Sequence, residues 1–169
     1  GGTGTRCAVL TIDGALPAVA HGGPSNFQRI GAEQAAQNVR DVALAALDQA
    51  GLTPPAVAGA LCLAGLGRPC DRELMYPILQ ALGLADQTLL YTDADAALAG
   101  AHALGPGVVV MAGTGATAWG ADAEGRRVRS DGWGPILGDE GSGYWIGREA
   151  LRAVMRARDG RGEATALTE

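Results

Sequence analysis

The sequence predicts an α/β protein of two lobes, because one short pattern occurs twice in matching register. Gly2-Thr3-Gly4 precedes a β-like run that turns at Asp13-Gly14, and Gly113-Thr114-Gly115 precedes a second run that turns at Glu124-Gly125. Corresponding positions of the two copies lie 111 residues apart. Each copy has the form of a glycine-rich turn followed by a hairpin with an acidic-Gly tip. Two such hairpins, one per lobe, can hold the phosphates of a nucleotide from both sides, which indicates a phosphotransferase.

The first lobe is expected to alternate between strands and helices, the order typical of the α/β class. Strands are expected over residues 6–12 and 18–21, and a loop then continues to Asn26. Apolar residues recur at helical spacing after that loop, which predicts one long amphipathic helix from Ile30 to about Gly51. The remaining elements of the lobe are expected to be a buried strand at 57–63, a helix at 72–82 that Pro77 should kink or divide, a strand at 88–91 and a helix at 93–104.

Gly105-Pro106-Gly107 is the predicted boundary between the two lobes, residues 1–105 and residues 106–169. An apolar run at 107–112 suits a buried strand that leads into the second glycine turn. A helix is expected from about residue 143 to 157. The first turn lacks such a lead-in strand and the chain has no initiator Met. We therefore expect a fragment, with a nearly complete N-terminal lobe and a truncated second lobe.

Composition excludes several functional classes. No apolar run approaches the roughly 18 residues of a membrane span, and no signal peptide is visible. The net charge of −5, without a basic cluster, argues against nucleic acid as a partner. All 13 basic residues are Arg, which excludes a Lys-bearing P-loop and a Schiff-base lysine. The three cysteines have no metal-ligand spacing, and we expect them to be reduced structural residues in a cytoplasmic protein.

The glycine turns are candidate phosphate sites. A glycine-rich turn presents successive backbone N–H groups to an anion without obstruction by side chains. Thr3 and Thr114 would add hydroxyl donors to their turns. A strand follows each turn where a helix would be required, so neither the dinucleotide-binding fingerprint nor the P-loop fits.

Asp93 has two interpretations from its position, where a strand ends and a helix begins. Thr92, Asp93 or Asp95 could cap the helix or interact with its positive end. Alternatively, Asp93 could act as the general base that accepts a proton from an attacking hydroxyl. The residues around it leave both alternatives open.

Residues 132–143 contain too much glycine for a regular element, and they also include a Trp, two carboxylates and a Ser. One interpretation is a solvated loop in which Asp139 or Ser142 caps the next helix. The other is a polyol pocket, in which carboxylates accept hydrogen bonds from sugar hydroxyls. Asn26 has a similar ambiguity, because it could be a turn residue or an amide that binds both a hydroxyl and a carbonyl.

These stretches together resemble the BadF/BadG/BcrA/BcrD ATPase family, and within it the N-acetylglucosamine and glucosamine kinases. The resemblance covers nearly all of the chain, and its most specific motif is the run from Gly132 to Gly147, centred on Gly-Asp-Glu-Gly-Ser-Gly. The other matching pieces are residues 1–6, 23–26, 92–94 and 112–115. The resemblance implies an actin-like ATPase (ribonuclease H-like) fold, whose two lobes close over ATP and Mg²⁺.

The resemblance also implies roles for individual residues. Asp93 would be the catalytic base and would contact the sugar. The ATP phosphates would be bound by Gly2, Thr3, Gly4, Gly113, Thr114 and Gly115. The remaining residues of the sugar site would be Asn26, Thr117, Gly132, Trp133, Gly134 and Asp139. The family's Mg²⁺-holding Asp would lie before Gly1, so we expect no metal ligand within this chain.

The leading hypothesis is an ATP-dependent amino-sugar kinase with a small-molecule substrate and, by the resemblance, a homodimer formed through the missing part of the second lobe. One alternative is an ATPase that activates a 2-hydroxyacyl-CoA dehydratase, which uses cysteines to bridge an iron–sulfur cluster. Another is a non-catalytic sugar-binding sensor. Cys62 and Cys70 lie in or just beyond a first-lobe strand, which disfavours the cluster-bridging alternative.

Overall fold

The computed structural model describes residues 3–168 of the chain. Its strands are Thr5–Val9 (β1), Ala18–Gly22 (β2), Ala56–Leu63 (β3), Ala85–Thr92 (β4), Gly107–Ala112 (β5), Ala116–Ala121 (β6) and Arg127–Asp131 (β7). Its helices are Phe27–Ile30 (α1), Ala32–Gln49 (α2), Pro69–Gln80 (α3), Asp93–His102 (α4) and Gly143–Arg158 (α5), with a short 3₁₀ turn at Ala166–Thr168. No helix in this described part is long and apolar enough to cross a bilayer.

The chain divides into two compact units, one ending at Ala96 and one beginning at Ala97. In the first unit, β1 and β2 form an antiparallel pair, and β3 and β4 form a parallel pair. Helix α2 packs on the first pair through Val42 and Ala46, which contact Ala20 of β2. A larger core joins α2 and α3 to the end of β3, and its buried members are Ala35, Ala36, Val39, Leu63, Leu66, Met75 and Leu79.

In the second unit, β5, β6 and β7 form an antiparallel sheet in sequence order. The register places Met111 opposite Thr117 and Thr117 opposite Asp131. The ring of His102, at the end of α4, lies against the backbone of Gly107, and its Nε2 is 3.0 Å from the Val108 carbonyl oxygen. A Cβ at position 107 would overlap that ring, so glycine is required where β5 begins. The lobe boundary expected at 105–107 stays a prediction.

Both predicted hairpins are present. β1 begins at Thr5 and β6 at Ala116, so the two hairpins keep the spacing of 111 residues. Gly14 has φ +85° and Gly125 has φ +76°, a left-handed conformation that glycine adopts without a steric penalty. The acidic-Gly pairs therefore lie in the turns where the sequence placed them.

Several elements differ in detail from the sequence-based expectation. The helix expected from Ile30 to about Gly51 is α2, and only Ile30 belongs to the separate short helix α1, which ends where Gly31 has a φ of +86°. The strand expected at 6–12 ends at Val9, because the N–H of Thr11 donates to the Ala15 carbonyl and opens the turn early. Pro77 lies inside α3 without dividing it, since the helix runs from Pro69 to Gln80.

Candidate functional site

The second glycine turn joins β5 to β6 and is held by two backbone hydrogen bonds. The N–H of Gly113 donates to the Gly115 carbonyl at 2.9 Å, which closes the turn. The carbonyl of Gly113 accepts the N–H of Gly143 at 2.8 Å, which ties the turn to the first residue of α5. Thr114 is exposed at the tip, so its hydroxyl is open to a ligand. The turn is thus a fixed platform that can present donors to an anion.

The first glycine turn is described only in part. Thr3 and Gly4 are exposed, whereas Gly2 lies outside the described residues. The hydroxyl of Thr5 donates to the Gly23 carbonyl at 2.7 Å, which anchors the start of β1 to the segment after β2. The phosphate-binding role of the first turn stays a prediction.

Two residues next to Asp93 cap helix α4. The hydroxyl of Thr92 accepts the N–H of Asp95 at 3.1 Å, and Oδ2 of Asp95 accepts the N–H and the hydroxyl of Thr92, each at 2.9 Å. This reciprocal pair is a capping box, with Asp in the place of the usual Glu or Gln. Of the three capping candidates in the sequence, Thr92 and Asp95 therefore supply the cap.

Asp93 occupies the first helical position, and its side chain is exposed. Its Oδ1 accepts the N–H of Ala94 at 3.0 Å, and the start of the helix favours a negative charge there. Burial and, second, the charge of Asp93 raise the pKa of the Cys62 thiol, so the carboxylate lies close to the end of β3. This arrangement leaves an exposed carboxylate at the carboxyl end of β4.

Asn26 is brought to the same edge of the β3–β4 pair. Its Oδ1 accepts the N–H of Gln28 at 3.1 Å and caps α1, so the turn-residue interpretation holds for this oxygen. The same oxygen would be 2.6 Å from a Cβ at position 65, and Gln28 Nε2 donates to the Gly65 carbonyl at 3.0 Å. Gly65 lies two residues beyond the end of β3. Because ligands of parallel sheets bind beyond the carboxyl ends of the strands, Asn26 and Asp93 lie where a small substrate is expected.

The second unit carries the other predicted sugar residues in a segment that we call the glycine loop, residues 132–142. It follows β7 and ends at Ser142, whose hydroxyl accepts the N–H of Trp145 at 3.1 Å and caps α5. Of the two capping candidates here, Ser142 is the cap. The Arg148 guanidinium donates to the Pro135 carbonyl at 2.6 Å and holds the outer part of the loop against α5.

Asp139 lies close to the second glycine turn, the predicted phosphate turn. This buried residue accepts the N–H of Gly134 through Oδ1 at 3.2 Å. Its Oδ2 would be 2.7 Å from a Cβ at position 115, so a larger residue in the turn would displace this carboxylate. A predicted sugar ligand and a predicted phosphate turn are therefore in direct contact within one unit.

Thr117 and Trp133 flank the start of the glycine loop. Gly132 has φ +77°, and a Cβ there would be 2.8 Å from the hydroxyl oxygen of Thr117. Trp133 is 65% exposed, and the Arg129 guanidinium lies 4.8 Å from the centre of its ring. The ring is therefore largely exposed while a guanidinium lies against it, in a cation–π arrangement.

Asp131 was missed by sequence reasoning, although it organises the loop. Its carboxylate accepts backbone N–H groups from Gly132, Asp139 and Glu140 at 2.7–3.0 Å. These bonds, that of Asp139 foremost, hold the pKa of the Asp131 carboxyl below its usual range. The available signal was the Asp-Gly pair after a strand, since Asp tolerates the left-handed conformation found here, φ +62°.

The structure thus groups the candidate residues within each unit. Asn26 and Asp93 lie at the carboxyl edge of β3 and β4, and the second turn lies with Thr117, Gly132 and Asp139 around the start of the glycine loop. Within residues 3–168, there is no group of three or more His, Cys, Asp or Glu side chains that could hold a metal ion. The individual binding and catalytic roles stay predictions.

Comparison with known proteins gives relatives along the whole chain. The chain is 34% identical to an N-acetylmuramic acid/N-acetylglucosamine kinase of Clostridium acetobutylicum, covering 99% of this chain and 55% of that protein. It is 41% identical to an N-acetyl-D-glucosamine kinase of Dictyostelium discoideum, covering 66% of this chain and 36% of that protein. A glucosamine kinase of Vibrio cholerae, GspK, is 30% identical over 95% of this chain and 54% of its own length. The chain spans about half the length of these curated relatives, or less.

Solved structures confirm the α/β, actin-like fold class. A putative N-acetylglucosamine kinase from Chromobacterium violaceum superposes with a TM-score of 0.82 at 33% identity, covering 99% of this chain and 58% of that one. A second putative N-acetylglucosamine kinase, from Porphyromonas gingivalis, has a TM-score of 0.73 at 20% identity and supports the fold alone. The BadF/BadG/BcrA/BcrD ATPase family matches residues 1–168. This chain belongs to the BadF/BadG/BcrA/BcrD ATPase family.

Proposed function

We propose that this chain is part of the catalytic machinery of an ATP-dependent amino-sugar kinase. The enzyme would transfer the γ-phosphoryl group of ATP to the primary hydroxyl of N-acetylglucosamine or glucosamine. The observation that carries the proposal is the arrangement at α4, where Thr92 and Asp95 cap the helix and Asp93 keeps an exposed carboxylate. Membership of an ATPase family and relatives named as amino-sugar kinases support the same reaction.

Asp93 is the proposed general base. Its carboxylate would accept the proton of the sugar hydroxyl as the oxygen attacks the γ-phosphorus, a contribution of about 10²–10⁴ in rate. The helix N-terminus favours a negative charge at this position. The amide of Asn26, at the same edge of the strand pair, would bind a sugar hydroxyl or carbonyl.

The second unit carries further residues with proposed phosphate and sugar roles. The amides and the Thr114 hydroxyl of the second glycine turn would offset the negative charge on the phosphoryl group, and the first turn would do the same through Thr3. Asp139 would accept hydrogen bonds from sugar hydroxyls, and Trp133 would stack on the ring. The protein supplies positioning and electrostatic stabilisation, which dominate in phosphoryl transfer.

Mg²⁺ is expected to accompany ATP in this family of reactions. Residues 3–168 contain no group of three or more His, Cys, Asp or Glu side chains that could hold a metal ion. No step of the proposed reaction is therefore assigned to the metal through this chain. The cytoplasmic location and the homodimer stay predictions.

The experiment measures ADP release from the complete reading frame with N-acetylglucosamine, glucosamine, N-acetylmuramic acid and glucose. Asp93→Ala is the test variant, and Asp86→Ala is the matched control, because Asp86 is an exposed carboxylate at the opposite end of β4. We expect turnover that depends on an amino sugar, survives Asp86→Ala and is abolished by Asp93→Ala. ADP release indifferent to every sugar would refute the kinase and favour the activator ATPase. Sugar binding without ADP release would favour the sensor.

A further inference from the structure

The last residue of β7, Asp131, belongs to the sheet and borders the glycine loop. It pairs with Thr117 of the neighbouring strand β6, so the sheet fixes its backbone. Its φ of +62° turns the chain out of the strand and directs the following residues into the loop. Asp131 is therefore the point at which the rigid sheet passes into a segment rich in glycine.

The carboxylate of Asp131 joins the two ends of that loop. Oδ1 accepts the N–H of Gly132 at 2.7 Å and the N–H of Asp139 at 2.8 Å, and Oδ2 accepts the N–H of Glu140 at 3.0 Å. Hydrogen bonds of N–H groups to a charged acceptor are stronger than neutral ones. Gly138 is required beside this carboxylate, because a Cβ there would overlap Oδ1 of Asp131.

The bond to Asp139 has a consequence for the neighbouring side chain. With its N–H held by Asp131, Asp139 directs Oδ1 to the N–H of Gly134 and places Oδ2 against Gly115. A chain of contacts thus runs from the sheet through Asp131 to Asp139, and from there to the phosphate turn. A glycine-rich segment has many accessible backbone conformations, so this geometry depends on such attachments.

We propose that Asp131 is a positioning residue of the sugar site, which sets the place of Asp139 without touching the substrate. This role rests on the proposed sugar kinase function. Its loss should weaken sugar binding and leave ATP binding nearly unchanged, because the second turn keeps its own bonds to Gly143 and within itself. A merely structural role would lower stability without this difference between the two substrates.

The test uses two variants of the complete protein. Asp131→Gly tolerates the left-handed φ and removes all three acceptor contacts, and Asp131→Asn tolerates that φ and keeps one carbonyl oxygen. The matched control is Asp122→Asn, because Asp122 accepts the N–H groups of Glu124 and Arg126 in the β6–β7 turn, away from the glycine loop. KM for sugar, KM for ATP, kcat and thermal unfolding are measured for each.

We expect Asp131→Gly to raise the KM for sugar by about 10- to 100-fold, the range for a misplaced binding group. Asp131→Asn should show a smaller rise, and Asp122→Asn none, while the KM for ATP stays within about twofold in all three. The proposal would be overturned if both Asp131 variants had the same KM for sugar as Asp122→Asn. If Asp131→Gly does not fold, Asp131→Asn decides alone. Absence of sugar turnover in the wild type would instead overturn the kinase function, and this role with it.

Discussion

Replacing Thr92 and Asp93 separately should distinguish the residue that caps the helix from the proposed catalytic base. Thr92→Ala removes the hydroxyl that accepts the Asp95 N–H at 3.1 Å and donates to Asp95 Oδ2 at 2.9 Å. Loss of an N-cap hydroxyl costs about 1 kcal/mol of folding stability. Asp93→Asn keeps an acceptor for the Ala94 N–H and loses only the charge at the helix start, which contributes about 0.3–1 kcal/mol.

The effects on activity should be in the opposite order. Asp93→Asn removes the proposed base, and kcat should fall by about 10²–10⁴, which corresponds to about 3–5 kcal/mol in the barrier. Thr92→Ala leaves the Asp93 carboxylate in place, and kcat should stay within about tenfold of the wild type. Thr92→Ser, which keeps the hydroxyl, should restore stability.

The assay combines ADP release with thermal unfolding of the complete protein. A loss of about 1 kcal/mol lowers Tm by about 2–4 °C for a domain of 150–250 residues, so the Thr92→Ala shift is measurable. A fall in kcat of less than tenfold for Asp93→Asn would refute the base. Equal losses of kcat for Thr92→Ala and Asp93→Asn would refute the division of roles, since both would then act through the helix.

Three further results are expected. Asp93→Asn removes a negative charge that raises the pKa of the Cys62 thiol, so this pKa should fall. Iodoacetamide should then alkylate Cys62 faster at pH 8, which mass spectrometry can measure. An unchanged rate would contradict the proximity of the two side chains. Gly115→Ala should displace the Asp139 carboxylate and raise the KM for sugar by about tenfold. An unchanged KM for sugar would show that the carboxylate has room to move. Gly100 lies in α4 with open space where a methyl group would be placed. Gly100→Ala should therefore stabilise the protein by about 0.5–1 kcal/mol, measured by thermal unfolding. A lower Tm would mean that this space is filled.

The parts of the fold that follow from local chemistry were predictable from sequence. The hairpin tips at Gly14 and Gly125 have a positive φ, and the acidic-Gly pairs in the sequence predict it. The break at Gly31 was not predictable, because an isolated glycine inside a helical pattern is usually tolerated. Its effect arises with the Asn26 cap, which starts a separate short helix just before it.

The candidate site shows a similar division. Short polar side chains at positions 92, 93 and 95 can all cap a helix, so sequence alone leaves the choice open. Hydrogen bonds of the folded chain select Thr92 and Asp95. The role of Asp131 depends on a bond to an N–H eight residues further along, in a loop whose path no periodic pattern encodes. Such contacts become visible only when the backbone is placed.

The contact between Gly115 and Asp139 means that two distant positions of the chain share one volume. A methyl group at the first position and a carboxylate at the second compete for the same space. A relative with a larger residue in the turn is therefore expected to carry a shorter or displaced side chain in the loop. Exchange of one segment alone between homologues should yield chimeras that fold but lose function, whereas exchange of both segments should preserve it.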